Sequence, residues 1–168
     1  MTSDTLTVLA ALAGARLKKG GHTLAAAESC TGGWVASSIV SIAGSSDWFD
    51  RGFVTYSNAA KREMLGVPAA TIDEHGAVSE PTARAMAEGA IANSAASVAL
   101  SITGVAGPTG GSPTKPVGTV CFAWARRGGA TDAVTKHFEG DRTEVRRQSV
   151  IFALQGLIER LDERLEGN

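Results

Sequence analysis

The chain has 168 residues, 43% of them hydrophobic and 20% charged, which is the size and apolar content of one globular domain able to bury a core. Its 16 basic and 17 acidic residues leave a formal net charge of -1, which excludes the uniform positive field of a nucleic-acid-binding surface and confines any anionic ligand to a local grip. No run approaches the roughly 18 to 20 apolar residues of a membrane span, and the two cysteines, Cys30 and Cys121, lack the C-x-x-C spacing of a zinc ribbon or a disulfide framework.

The N-terminal stretch carries neither a charged leader region nor a cleavage site, so a cytoplasmic location is expected. It reads instead as an amphipathic helix from Asp4 to Lys19, capped by Ser3, with Leu6, Leu9, Leu12 and Leu17 on one face and Gly20-Gly21 ending it. "HTLAAAE" reads as a short buried strand and "GWVASSIVSIAG" as a helix ended by Gly44, with "AESCTGG" between them. After a loop, "FVTYS" has the β-branched and aromatic character of a strand, and "SNAAKREMLGV" of a helix capped by Ser57 or Asn58, with Lys61 in its first turn.

The polar segment "ATIDEHGAV" leads to an alanine-rich helix capped by Ser79, with Pro81 in its first turn, and then to the buried strand "SVALSITG". Gly104 to Gly118 is irregular and too long for a hairpin loop, a length that in compact domains often signals function. Residues 119–140 alternate as a β-hairpin turning at Gly128 and Gly129. The last element is a long helix with a capping box from Asp141 and Glu144 and an apolar stripe of Val150, Leu154, Leu157, Ile158, Leu161 and Leu165. The pattern predicts a single domain over residues 1–168, a three-layer α/β/α sandwich with a mixed central sheet. Ligands in such sheets bind beyond the carboxyl ends of the strands, where both "ESCTGG" and "TGVAGPTGG" fall.

Ser29 stands where a strand ends and a helix begins, a place that suits a nucleophile and equally suits a plain helix cap. Cys30 is a rival nucleophile or a buried, inert thiol. Of the scattered His22, His75 and His137, His75 is the best placed to act as a base. Lys61 is the more attractive one: desolvated near the positive end of a helix it would lie neutral near pH 7, whereas in solvent it would be an ordinary surface lysine. Tyr56 could hydrogen-bond Ser29 or Lys61 through its hydroxyl, or simply pack at a strand end. Arg142, Arg146 and Arg147 crowd the start of the last helix, where they await either a phosphate or neutralisation by Glu139, Asp141 and Glu144. "GVAGPTGG" is neither a Walker loop nor a dinucleotide fingerprint. No H-E-x-x-H or His/carboxylate cluster suggests a metal.

Taken in order, "AESCTGG", "AGSSDWFDRGFVTYSNAAK", "HGAVSEPTARAMAEGA", "SITGVAGPTGGSPTKPVGTV" and "FEGDRTEVRRQ" resemble the CinA C-terminal domain family from about Leu6 to Leu157. The resemblance implies the activity of that family's stand-alone members, deamidation of nicotinamide mononucleotide to nicotinate mononucleotide and ammonia in NAD recycling, with no metal or organic cofactor. It carries the nucleophile onto Ser29, the general base onto Lys61 and a supporting hydroxyl onto Tyr56.

The expected mechanism is acyl transfer, with backbone N–H groups of Cys30 and Thr31, and also of Gly104, receiving the oxyanion. Gly32 and Gly33 would leave room for the pyridine. Thr103, Gly104, Gly107 and Gly110 would line the ribose and pyridine, Thr103 standing where the family more often has serine. Arg142 and Arg146 would hold the 5′-phosphate. Glu28 would orient Lys61 or terminate the strand. Other family members carry a preceding nucleotide-hydrolase domain, so its pyrophosphatase activity is not expected here. A homodimer is expected from the resemblance and the apolar last helix. The alternative is a catalytically silent pyridine-nucleotide-binding module linked to competence or damage response; DNA binding fits the charge poorly.

Overall fold

A computed structural model describes the backbone of residues 2–166 and the side chains of residues 5–162. The elements in chain order are α1 (Thr2–Lys19), β1 (Leu24–Glu28), α2 (Trp34–Val40), β2 (Phe49–Val54), α3 (Asn58–Leu65), α4 (Ala69–His75), α5 (Glu80–Ala92), β3 (Val98–Gly104), β4 (Thr119–Arg126), β5 (Thr131–His137) and α6 (Arg142–Glu166). The strands form one sheet in the order β2-β1-β3-β4-β5, with β1 parallel to β2 and β3, and the β3, β4 and β5 pairings antiparallel. The sheet is therefore mixed, as the sequence predicted.

Strand alternation divides the core in two. Leu24, Ala26, Val98, Leu100, Ile102, Val120, Phe122 and Trp124 face α1, α2 and α6, a large-residue interior in which each fully buried aromatic or aliphatic side chain contributes about 1.5–3 kcal/mol. The intervening Ala25, Ala27, Ala99, Cys121, Ala123 and Ala125 face α3, α4 and α5. Small residues on this face bring α5 close to the sheet, and Gly89 carries the same economy outward: a Cβ there would stand 2.0 Å from the Leu65 carbonyl oxygen of α3. Two helical layers on opposite faces make the three-layer sandwich.

Several boundaries differ from the sequence reading. β2 starts at Phe49 rather than Phe53, because the edge strand is mostly exposed and lacks the apolar run by which a strand is recognised. "AATIDEH" is a helix, held by a single apolar contact at Ile72 that gives no periodic signal. α2 is shorter, starting after Gly33, whose φ of 100° only glycine adopts freely, and ending before Ser41. Ser3 lies inside α1 rather than capping it. The cap of α3 is Ser57, whose hydroxyl accepts from the Ala60 N–H at 2.9 Å. Half of the last capping box forms: Asp141 accepts from the Glu144 N–H, while Glu144 turns to Arg147. The stripe from Val150 to Leu161 on α6 is buried within the chain, and the side chain of Leu165 lies outside the described residues. Among the described residues no helix is long and apolar enough to cross a membrane.

Candidate active site

Parallel pairing places the candidate residues together. Glu28, the last residue of β1, stands opposite Val54 of β2 and Ile102 of β3, so the chain leaves all three strands at one edge of the sheet. Ser29, Tyr56 and the Thr103–Gly104 pair therefore emerge side by side. β4 begins and β5 ends at this same edge, with Thr119 opposite His137, and this returns the start of α6 and Arg142 to the same mouth. There the described residues enclose a cavity of about 290 Å³ whose walls include Ser29, Cys30, Tyr56, Lys61, Thr103 and Arg142. That is close to the lower end of small-molecule sites, roughly 300 Å³.

Within it, Lys61 Nζ donates to Ser29 Oγ at 3.0 Å. A helical side chain leans toward the N-terminus of its helix, and Lys61, in the first turn of α3, reaches back past Ser57 to the main-chain oxygen of Tyr56 at 3.2 Å. Ser29 Oγ–H also donates to that oxygen, at 3.5 Å. Ser29 is 6% and Lys61 2% exposed, and among the described residues Lys61 has no carboxylate partner. Burial therefore holds the Lys61 ammonium below its ordinary pKa of 10.5, with the Cys30 sulfur opposing the shift. The structure brings Ser29, Tyr56 and Lys61 together, with the contact from Tyr56 made through its carbonyl. Its ring is exposed, and its hydroxyl accepts from Arg142 Nη2 at 3.3 Å, clear of the amine.

The turn after β1 can be described by following its backbone N–H groups. Ser29 donates to Ile102 O, Gly32 to Ser29 O and Trp34 to Thr31 O. Gly33, Val35 and Ala36 donate to the carboxylate of Glu28, which also receives the Thr31 hydroxyl at 2.6 Å. Among the described residues the Thr31 N–H has no acceptor, and the Cys30 N–H meets only its own sulfur. Glu28 is thus neither a partner of Lys61 nor a simple strand end: 1% exposed, it caps α2. Burial pushes the Cys30 thiol up to about 11, which leaves it protonated and weakens its claim as a nucleophile.

The other candidates occupy varied places. Thr103 Oγ1 donates to Ala77 O at 2.9 Å, and this pins the α4–α5 corner so that Ala77 and Val78 become cavity wall. Gly104 lines the cavity; Gly107 and Gly110 do not, although the Gly107 carbonyl accepts from Arg142 Nη1 at 2.7 Å. A Cβ on Gly32 would meet Arg146 and one on Gly33 would meet Val54, and neither glycine lines the cavity. Arg146 donates to the carbonyls of Cys30 and Thr31, and Arg147 to Glu144. The histidines lie elsewhere: His22 on Ser97, His137 on Val117 O, and His75 with its carbonyl taken by Lys115. Among the described residues no group of three or more His, Cys, Asp or Glu side chains is placed to hold a metal.

A family model described as the CinA C-terminal domain matches residues 6–161. The chain belongs to the CinA C-terminal domain family. It is 54% identical over 157 residues to the nicotinamide-nucleotide amidohydrolase PncC of Escherichia coli K12, covering 94% of this chain and 95% of that one. It is 49% identical over 156 residues to the PncC of Pseudomonas putida, covering 93% and 97%. Among solved structures, the competence/damage inducible protein CihA of Agrobacterium tumefaciens superposes with a TM-score of 0.89 at 45% identity, over 94% of this chain and 96% of that one. A CinA superfamily protein of Klebsiella pneumoniae gives 0.90 at 39% identity, over 94% and 98%.

In this CinA-family chain, sequence reasoning missed contributions that come from the main chain or from packing. The Tyr56 carbonyl, the Glu28 cap and the Arg146 clamp have no side-chain pattern to announce them. An acid closing an apolar run just before a helix start was the available signal for Glu28.

Proposed function

We propose that this protein hydrolyses the carboxamide of nicotinamide mononucleotide to nicotinate mononucleotide and ammonia through a Ser29 acyl-enzyme, returning the pyridine ring to NAD synthesis. The observation that carries the reading is the buried 3.0 Å contact between Ser29 Oγ and Lys61 Nζ in a cavity of about 290 Å³. The names of the Escherichia coli and Pseudomonas putida relatives support the substrate class.

With Lys61 neutral, the contact runs in reverse: Ser29 Oγ–H gives its proton to Nζ as Oγ bonds to the carboxamide carbon. The carbonyl π pair moves to oxygen, and the oxyanion is received by the N–H groups of Cys30 and Thr31. The C–N bond then breaks, its electron pair leaving with nitrogen, which takes the Lys61 proton and departs as ammonia. Water gives a proton to Lys61 while attacking the acyl carbon. Collapse returns that proton to Ser29 Oγ and frees the nicotinate carboxyl. Tyr56 acts here through its main-chain oxygen, which fixes Lys61, and through its hydroxyl against Arg142. Arg142 holds the 5′-phosphate at the mouth. Thr103 and Gly104 border the pyridine, while Gly107 and Gly110 shape the ribose side.

The test is ammonia release from nicotinamide mononucleotide by the purified protein and by Ser29→Ala. Turnover abolished in Ser29→Ala with nucleotide binding retained supports the reading. Undiminished turnover in that variant sinks the mechanism, and binding without turnover in the wild type favours a silent nucleotide-binding module. The assembly we propose is a cytoplasmic homodimer, on the family resemblance alone, because the apolar stripe of α6 is buried inside the chain. A single-chain mass by light scattering overturns it.

A further inference from the structure

The three arginines at the start of α6 do different work. Arg142 lines the cavity, and Arg147 pairs with Glu144 on its own helix. Arg146, one turn after Arg142, is half-buried and does not line the cavity. Its Nε donates to the Cys30 carbonyl at 2.9 Å and its Nη2 to the Thr31 carbonyl at 3.1 Å. The guanidinium carbon lies 5.4 Å from the Trp34 ring centroid, a cation–π contact that holds its orientation.

We infer that Arg146 is a positioning residue for the oxyanion site rather than a ligand of the phosphate. In a trans peptide the C=O and N–H point in opposite directions. A guanidinium bound to the Cys30 carbonyl therefore turns the Thr31 N–H away from Arg146. Ser29 and Cys30 line the cavity, whereas Thr31 and Arg146 do not, and a Thr31 N–H turned away from Arg146 is directed past Cys30 toward it. Thr31 is fully buried, and a buried N–H without an acceptor is costly unless a ligand supplies one. The clamp holds that cost in place. Glu28 acts from the opposite end of the turn, gathering the Gly33, Val35 and Ala36 N–H groups and taking neither of the two donors beside Ser29. The positive charge on the Cys30 carbonyl also polarises the peptide that carries the Thr31 N–H and strengthens it as a donor. Two diverging donors on successive carbonyls require the planar fork of arginine; a lysine supplies one point charge.

The inference rests on the amidohydrolase reading, and the experiment separates the two. Arg146→Lys and Arg146→Met are assayed with nicotinamide mononucleotide and with nicotinamide riboside, which lacks the phosphate. A fluorophosphonate probe in parallel reads the reactivity of Ser29 without the natural substrate. The expected result is a kcat lowered by about 10- to 100-fold, below the roughly 10²- to 10³-fold cost of losing a whole oxyanion donor, with KM changed by less than about three-fold. Probe labelling slows in the same order, Met more than Lys. A raised KM for the mononucleotide alone, with kcat and labelling intact, identifies a phosphate ligand and overturns the inference; so do unchanged values throughout. If Arg146→Met does not fold, Arg146→Lys decides. If the wild type releases no ammonia, the functional reading fails while the labelling comparison still decides the role of Arg146.

Discussion

Ser29 Oγ and Lys61 Nζ meet at 3.0 Å, and both donate to one main-chain oxygen, that of Tyr56, at 3.5 and 3.2 Å. A shared carbonyl acceptor holds the amine in place, and among the described residues no carboxylate pairs with the ammonium. Desolvation then dominates and lowers the pKa of the lysine, so it gives up its proton more readily than a surface lysine does.

Lys61→Met removes the acceptor and lowers kcat by about 10²- to 10⁴-fold, the range of general-base catalysis. Lys61→Arg is equally inactive, since a guanidinium stays protonated. On the proposed mechanism the neutral amine is the active form, so kcat/KM is expected to rise with pH through the lowered pKa of Lys61 and to fall below it. Stability follows the same sign. Between that lowered pKa and the ordinary 10.5 the unfolded chain binds one more proton at this site than the folded chain, so folding gains stability as pH rises. Lys61→Met relieves this cost and is expected to melt higher at neutral pH while losing activity. A rate profile that is flat with pH on its acid side contradicts the assignment.

A thiol raised to about 11 is ionised to only about one part in 10⁴ at pH 7, so Cys30 reacts slowly with iodoacetamide. Cys30→Ala should retain most turnover, because the contribution required of residue 30 is its backbone N–H. Loss of turnover in Cys30→Ala matching that in Ser29→Ala would return the thiol to contention. Mass-spectrometric labelling together with the ammonia assay distinguishes the outcomes.

Glu28→Gln tests the cap. The amide keeps one acceptor oxygen but turns an NH₂ toward N–H groups that need an acceptor, at a cost of about 1.5–3 kcal/mol for a hydrogen bond to a charged group. Urea denaturation should show a lower midpoint with an unchanged slope, and Glu28→Ala a larger fall. Because the turn carries Ser29, kcat should drop as well. An unchanged midpoint in Glu28→Gln would mean that the carboxylate contributes nothing to the helix start.

The sheet and its functional edge were legible in the sequence because β1, β3 and β4 are buried apolar runs and the glycine-rich motifs follow directly from two of them. β2 was misplaced by four residues at its start, since Asp50, Arg51 and Gly52 lie on an exposed edge with no burial to shape a pattern. Lys61 was placed in the first turn of α3 by its spacing from the cap, but its choice as base rested on the family resemblance. What Tyr56 and Arg146 do was not legible. Each acts through a contact with main-chain oxygen or between distant elements, and side-chain periodicity carries no record of where a carbonyl points.

Arg142 is the remaining cation at the mouth, and its guanidinium is already oriented by the Gly107 carbonyl and the Tyr56 hydroxyl. An orienting neutral partner on each side leaves the charge without a carboxylate among the described residues, which suits an anion arriving from solvent. Arg142→Ala should therefore raise KM for nicotinamide mononucleotide by about 10- to 100-fold, the equivalent of one strong charge-assisted hydrogen bond, with much of kcat retained. For nicotinamide riboside the same variant should change KM little. Tyr56→Phe supplies the complementary measurement. It removes the hydroxyl that steadies Arg142 and leaves the main-chain oxygen on Lys61, so it should raise KM modestly and spare kcat. A proton-relay role for the phenol predicts the opposite, a collapse of kcat at constant KM, and steady-state kinetics on these two variants separate the alternatives.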